Sequence, residues 1–212
     1  MNRIHFKSLV MSLYKNQIHF VLGSSSPRRK DLLKQIGIVP DSTISPKIDE
    51  TLLKKELPLE YLKRVTNNKM IFVKEKYPES LILTADTIVS VGRRILQKTY
   101  KKNEAKYYLS LLSGRRHRVI TAFVIYAPFF KQKLKYVTSI VKFKKLSLQE
   151  INYYLDSDEW KGKAGGYAIQ GLATRYINFI SGSYSNVVGL PLSDVYRMLV
   201  STGYNLNNEE KK

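Results

Sequence analysis

The chain has no cysteine and only three histidines, His5, His19 and His117, in 212 residues. Disulfides and thiolate metal sites are therefore excluded, and a histidine-built zinc site lacks its ligands. No apolar run approaches the ~20 residues needed to cross a bilayer, so no membrane partner is expected. Acid is scarce as well: 17 Asp and Glu stand against 36 Lys and Arg, a formal net charge of +19. Arg3, Lys7 and Lys15 open the chain with no acid among the first twenty residues. That is the bias of a transit peptide, but the apolar part, Leu9–Leu13, is short and no small-residue cleavage site follows it. The expectation is a poorly ordered extension over residues 1–17, or a start at Met11, and a disordered tail over residues 205–212, NLNNEEKK.

What remains has ordinary globular proportions, 43% hydrophobic and 25% charged. Its length suits a single domain over residues 18–204, or two lobes sharing one core. Freedom from cysteine fits a reducing compartment, and a cytoplasmic location is expected. The positive residues are scattered, and lysine far outnumbers arginine. Such a charge attracts polyanions in general, nucleotides included, and does not outline a nucleic-acid groove.

Elements alternate along the chain. Ile18, Phe20 and Leu22 read as a strand that breaks at Gly23. Ser26 followed by Pro27 predicts a helix start, with Leu32, Leu33 and Ile36 inward and Gly37 closing it. A helix is predicted over 59–76 with Leu62, Val65, Phe72 and Val73 as its inward stripe. LILTADTIVSV reads as a buried strand, GRR as a turn and RILQK as its return. Asn103 is placed to cap a helix that buries Ala105, Tyr108, Leu109 and Leu112 and ends at Gly114. VITAFVIYA and KYVTSIVKF suit two long antiparallel strands. Ser147 and Glu150 form a capping box, with Leu146 and Ile151 as its hydrophobic staple. A strand over 176–180 and a last helix burying Leu192, Val195, Tyr196 and Leu199 complete the chain. The mixture predicts an α/β fold around a mixed, twisted sheet with flanking helices.

Several residues break this pattern. Asp86 lies inside an apolar strand, where a bare carboxylate is very costly to bury, so it must be paired, protonated or metal-bound. Lys69 falls on the inward stripe of its helix, either snorkelling to the surface or reaching an anion from the core side. Lys98 ends the strand after the GRR turn, close enough in sequence to reach the same place. Asp49 and Glu50 are adjacent acids in a basic region; beside Asp86 they suit a hard divalent cation that keeps substrate phosphates in its shell. The free N–H groups of the first turn of the helix that starts at Ser26–Pro27, the serine hydroxyls and the Arg28 and Arg29 side chains gather into an anion site, with phosphate its natural ligand. His117, set among arginines, is expected to be neutral. KGKAGGYAIQG offers glycines for close backbone approach and Gln170 for reading a base edge.

Five stretches in order, SSSPRRKDLL, TADTIV, LSGRRHRVIT, KAGGYAIQG and SYSNVVGLPL, resemble the Maf family of nucleoside triphosphate pyrophosphatases, and the likeness runs from about Ile18 to Leu199. The resemblance implies an elongated two-lobed α/β molecule like the inosine triphosphate pyrophosphatases, with a central cleft. It implies hydrolysis of a nucleoside triphosphate to monophosphate and pyrophosphate with a divalent metal, Mg or Mn, and a homodimer as the candidate assembly. The family is also linked to septum formation and division arrest. By position, Asp86 matches the family's catalytic base; Ser24, Ser26, Arg28 and Arg29 its phosphate-binding turn; Glu50, Lys69 and Lys98 its other polar site residues. Glu50 and Asp86 are the metal candidates. Arg28, Thr87 and Gln170 match the branch acting on dTTP and UTP, whereas a branch preferring methylated GTP has an acid where Gln170 stands. The sequence departs from the family at Gly162, commonly aspartate, at Gly166, and at Thr99, commonly proline. The competing readings are that other branch, a preference for modified pyrimidine nucleotides, and a basic nucleic-acid-binding protein without hydrolase activity.

Overall fold

The computed structural model describes residues 18–204; the expected extension over 1–17 and tail over 205–212 lie outside the described residues. Strand β1 (Phe20–Gly23) is buried along its whole length. It runs parallel to β2 (Ser42–Ile44) on one side and to β3 (Leu81–Val91) on the other. From β3 the sheet turns antiparallel, through β6 (Arg116–Ala127) and β7 (Phe130–Phe143) to β9 (Ile177–Ser181). The mixed order β2-β1-β3-β6-β7-β9, with β4 (Arg94–Leu96) alongside β3, gives the predicted α/β class. A separate two-stranded ribbon pairs β5 (Lys98–Thr99) with β8 (Lys163–Ala164).

The sheet is covered unequally. On one face the long helix α2 (Pro58–Lys76) lays Tyr61, Leu62 and Val65 on Ile88, Ile95, Ile120 and Ala122. Its later turns put Met70 and Val73 on Val21, Ile82 and Val124. The close fit depends on Gly23: a Cβ there would come within 2.8 Å of Val73 and 2.7 Å of Thr84. The opposite face carries the main core, built with α1 (Pro27–Gln35), α3 (Lys102–Leu112), α4 (Leu148–Asp156) and α6 (Leu192–Ser201); a short helix α5 (Tyr184–Val188) precedes the last of these.

One interruption of the sheet positions the site. β1 pairs with β3 only as far as Gly23 opposite Thr84, and β4 begins only at Leu96 opposite Val89. Over residues 85–88 that edge of β3 is therefore unpaired by the sheet. A gap just past the carboxyl end of a parallel strand is where open α/β sheets bind ligands.

Some local expectations need correction. Lys101, not Asn103, occupies the cap position of α3. Thr99 explains the shift: its hydroxyl takes the Lys101 N–H at 3.0 Å and holds Glu104 of the first turn. The RILQK strand is broken at Gln97 into β4 and β5. Tyr196 is 41% exposed, and the inward stripe of α6 continues through Met198 instead. Phe72 is only half-buried, with Met70 taking its place in the core. Tyr176 ends a 3-10 turn, so β9 starts one residue later than expected. The Ser147–Glu150 capping box forms as predicted, and Leu146 and Ile151 are both buried in the main core.

Candidate active site

Residues alternate between faces along a strand, so Asp86 and Thr87, side by side in the gap, point to opposite sides of the sheet. Two cavities follow from this. They meet at Thr87, Lys98 and Ala164, which line both.

On the α2 side the cavity is walled by Glu50, Tyr61, Asp86, Gln97 and Lys98. Asp86 is 2% exposed and Lys69 5%. The Lys69 ammonium sits between two acids, 2.7 Å from Asp86 Oδ1 and 2.8 Å from Glu50 Oε1. Lys98 lies farther out, 3.8 Å from Asp86 and 3.9 Å from Glu50. Burial opposes ionisation of Asp86, but Lys69, Lys98 and Arg29 outweigh it and hold the carboxyl below its ordinary range. Lys69 does not snorkel; it reaches the acid from the core side. Tyr61 donates to the Glu50 carbonyl at 3.0 Å and pins the acidic loop to α2. Burial, then the charges of Asp86 and Glu50, push the Tyr61 hydroxyl up to about 12, so it stays a donor. Asp49 does not join this cluster. Its carboxylate accepts the Thr51 N–H at 2.8 Å within its own exposed loop.

On the other side lies a cavity lined by Ser26, Arg28, Arg29, Lys163, Tyr167, Gln170 and Gly189, among others. Arg29 is fully built in: Nε donates to the Gly189 carbonyl at 2.9 Å, one terminal nitrogen to Ser24 Oγ at 2.8 Å, the other to Thr87 Oγ1 at 3.1 Å. Three neutral acceptors hold a buried guanidinium with no acid in ion-pair contact, and burial lowers its pKa despite the fields of Asp86 and Glu50. Ser24 Oγ also receives the Ser26 N–H at 3.3 Å. Ser24 and Thr87 thus position Arg29. Thr87 is further occupied by Thr121 at 2.9 Å and the Gly189 carbonyl at 3.2 Å. Ser26 stands at the cap position of α1 but makes no capping bond. Arg28 has no ion pair or hydrogen bond among the described residues, and burial lowers its pKa. Gln170 is exposed at the rim.

Three contributors were not legible as such. Lys163 enters from the ribbon, its pKa lowered by burial and then by Arg28. Its presence in KGKAGG was the available signal. Gly165 lets that ribbon lie against β3: at φ +71° any Cβ would fall within 2.9–3.0 Å of Val89. Gly189 offers its carbonyl to Arg29 because Asn186, wholly buried, ties its segment to Val119 O and Ser139 Oγ at 3.1 and 2.9 Å. His117 is neutral as expected, for another reason: burial brings its pKa down to about 4, and Nε2 lies 2.7 Å from the Tyr167 hydroxyl.

The arrangement can hold a polyphosphate along a row of cations and present one carboxylate to it. No group of three or more acids or histidines placed to hold a metal ion exists among the described residues. A hard divalent cation nevertheless fits Glu50 and Asp86, because their oxygens already converge on one ammonium. Such an ion takes one or two carboxylates and draws its remaining ligands from phosphates and water.

A family model described as "Maf-like protein" matches residues 19–202. A "dTTP/UTP pyrophosphatase" of Roseobacter denitrificans is 51% identical over 185 residues, 87% of this chain and 97% of its own. A "Nucleoside triphosphate pyrophosphatase" of Ehrlichia chaffeensis is 48% identical over 85% of this chain and 94% of its own. Among solved structures, the Ham1 protein of Staphylococcus aureus aligns over 58% of this chain and 71% of its own at 14% identity, with a TM-score of 0.38. Matched by the family model over nearly all its described residues, and by relatives over nearly their whole length, the chain belongs to the Maf family.

Proposed function

We propose that this chain hydrolyses nucleoside triphosphates to the monophosphate and pyrophosphate, with dTTP and UTP as its preferred substrates. The observation that carries the reading is the meeting of the two cavities at Lys98 and Thr87, which sets an ionised, buried carboxylate beside a corner of arginines without acid partners. A triphosphate spanning the gap in β3 places phosphate oxygens on Ser26, Arg28, Arg29 and Lys163, and the bond between its first two phosphates near Asp86. The named activities of the relatives support the same assignment.

Phosphoryl transfer asks the protein mainly for position and charge. Arg28, Arg29 and Lys98 neutralise oxygens as negative charge shifts toward the leaving pyrophosphate. Because Asp86 is held below the ordinary carboxylate range, it is a weak base before attack. Its work is to orient the water and accept its proton as the phosphorus–oxygen bond forms. Lys69 keeps it ionised and aimed. A divalent metal, Mg or Mn, held by Glu50 and Asp86 supplies further neutralisation of the triphosphate when bound. Gln170 reads the base edge through its amide, where an acid would prefer a different donor pattern. One unit over residues 18–204, a cytoplasmic location and a homodimer complete the reading.

Asp86→Asn is the direct test. It keeps size and hydrogen bonding while removing the charge, and pyrophosphate release should drop at least about a hundredfold with the fold retained. Near-normal turnover would end the assignment. Side-by-side rates on dTTP, UTP, CTP and methylated GTP, with each metal, decide the substrate branch.

A further inference from the structure

The sheet face that carries Asp86 is covered by α2 only as far as Ile88 and Ile120. Beyond that limit it is open, and cations occupy it. Arg116 of β6 pairs with Lys142 of β7, which pairs with Phe179 of β9, so the three stand in one row across the sheet. Arg118 occupies the next row, opposite Ile140 and then Ser181. Neighbouring strands are about 4.8 Å apart, so these groups form one patch. Arg116 and Arg118 are exposed, and Phe179 is 42% exposed. The Arg116 guanidinium lies 5.3 Å from the Phe179 ring centre. Toward α2, Tyr136 stands on the same face with the Lys63 ammonium 5.4 Å from its ring centre.

No acid balances the patch. Not one Asp or Glu occurs in β6, β7 or β9. Arg116, Arg118, Lys142 and Lys63 make no ion pair among the described residues. Glu60, on the end of α2 that borders this face, gives its carboxylate to the Leu57 N–H at 3.2 Å. Unpaired cations beside two exposed rings on a flat sheet suit a strand of phosphates whose bases can stack on the rings. None of these residues lines either catalytic cavity.

We propose that this open face of β6, β7 and β9 is a binding surface for single-stranded nucleic acid, separate from the nucleotide cleft and without sequence preference. The phosphates are held by Arg116, Arg118, Lys142 and Lys63, and bases stack on Phe179 and Tyr136. The charge of the whole chain would otherwise produce only diffuse attraction to any polyanion.

The experiment is fluorescence anisotropy of a labelled oligothymidylate of about 12 nucleotides, within the site size of sheet-type single-strand binders. Full-length protein is titrated at several salt concentrations, and thermal unfolding confirms that each exposed-surface variant is folded. Replacing Arg116, Arg118 and Lys142 by Ser should weaken binding at least about tenfold and flatten the salt slope by about 2, as loss of three phosphate contacts to a single strand requires. Phe179→Leu, which keeps the charge, should weaken binding about fivefold or more by loss of stacking. A control replacing exposed Lys34, Lys54 and Lys106 by Ser removes the same net charge elsewhere and should leave most of the affinity. An equal loss in that control, or no loss in Phe179→Leu, overturns the proposal. So does equal affinity for a blunt duplex, whose bases cannot stack on a ring. Vesicles of phosphatidylglycerol and phosphatidylcholine form the last arm: patch-dependent binding to vesicles without patch-dependent binding to the oligonucleotide would assign the face to anionic lipid and refute the nucleic-acid reading.

Discussion

The two cavities flank one strand, yet they handle charge in opposite ways. In the α2 pocket each acid has a cation: Glu50, Lys69, Asp86 and Lys98 form one connected cluster. In the arginine corner Arg28 and Arg29 form no ion pair, and Arg29 rests on a carbonyl and two hydroxyls. The first pairs its own charges; the second is short of negative charge. Lining up reactive groups that already satisfy one another fixes their geometry, whereas leaving cations without counter-ions reserves them for an incoming anion.

That contrast can be broken experimentally, and the largest stability effect belongs to the paired pocket. Lys69→Met strips the buried partner from Asp86 and should cost about 3 kcal/mol, the usual consequence of breaking a buried pair, measured by urea unfolding. It should also raise the Asp86 pKa, so the variant regains stability as pH falls and Asp86 is protonated. In the wild type the sign is reversed. Asp86 has a depressed folded pKa, so its contribution is present above the unfolded carboxyl value near 4 and is lost as pH falls through the lower folded one.

Arg29→Lys comes next. It keeps the charge but not the fork of three bonds, and should cost about 2 kcal/mol while raising KM. Arg28→Lys, with no bond to lose, should leave stability within about 0.5 kcal/mol and lower kcat/KM. If both behaved alike, the distinction between a built-in and a waiting arginine would fall. His117 supports the corner through Tyr167 and titrates against it. Its folded pKa of about 4 lies below the ordinary 6.5, so stability declines as pH drops between those values. His117→Gln should remove up to about 1.4 kcal/mol per pH unit from the slope of stability in that window. The smallest expected effect on stability is that of Gln170→Glu. This exposed substitution should leave unfolding unchanged and alter only the ranking of nucleotides; an unaltered ranking would remove Gln170 from specificity.

Much of the site could be read from residue type against local pattern. Asp86 in an apolar strand announced a buried charge, because the cost of burying one is large enough to demand a partner; Lys69 on an apolar stripe left two readings open, a snorkelling lysine or one reaching inward. The Ser26–Pro27 start and the arginines after it were equally plain. What could not be read depends on pairing between distant segments. The gap in β3 exists only because β1 ends and β4 begins where they do, and no local pattern encodes that register. Lys163 reaches the corner through the β5–β8 pairing, and Gly189 serves Arg29 through the buried Asn186 network. Asp49 and Glu50 differ for the same reason: adjacent acids in a loop look equivalent until one turns to Thr51 and the other to Lys69. Tyr196 was misplaced because a helical stripe gives a direction, not the width of what it packs against.

Lys98 belongs to both cavities, and its side chain is 48% exposed. Dissolved ions reach it where they do not reach Lys69, since screening over a Debye length of roughly 8–10 Å acts on solvated charge and spares buried pairs. Added electrolyte therefore works on the hinge between the compartments before it touches either interior. Capture of nucleotide should grow weaker with ionic strength while the Asp86–Lys69 contact, and the fold around it, stay as they were.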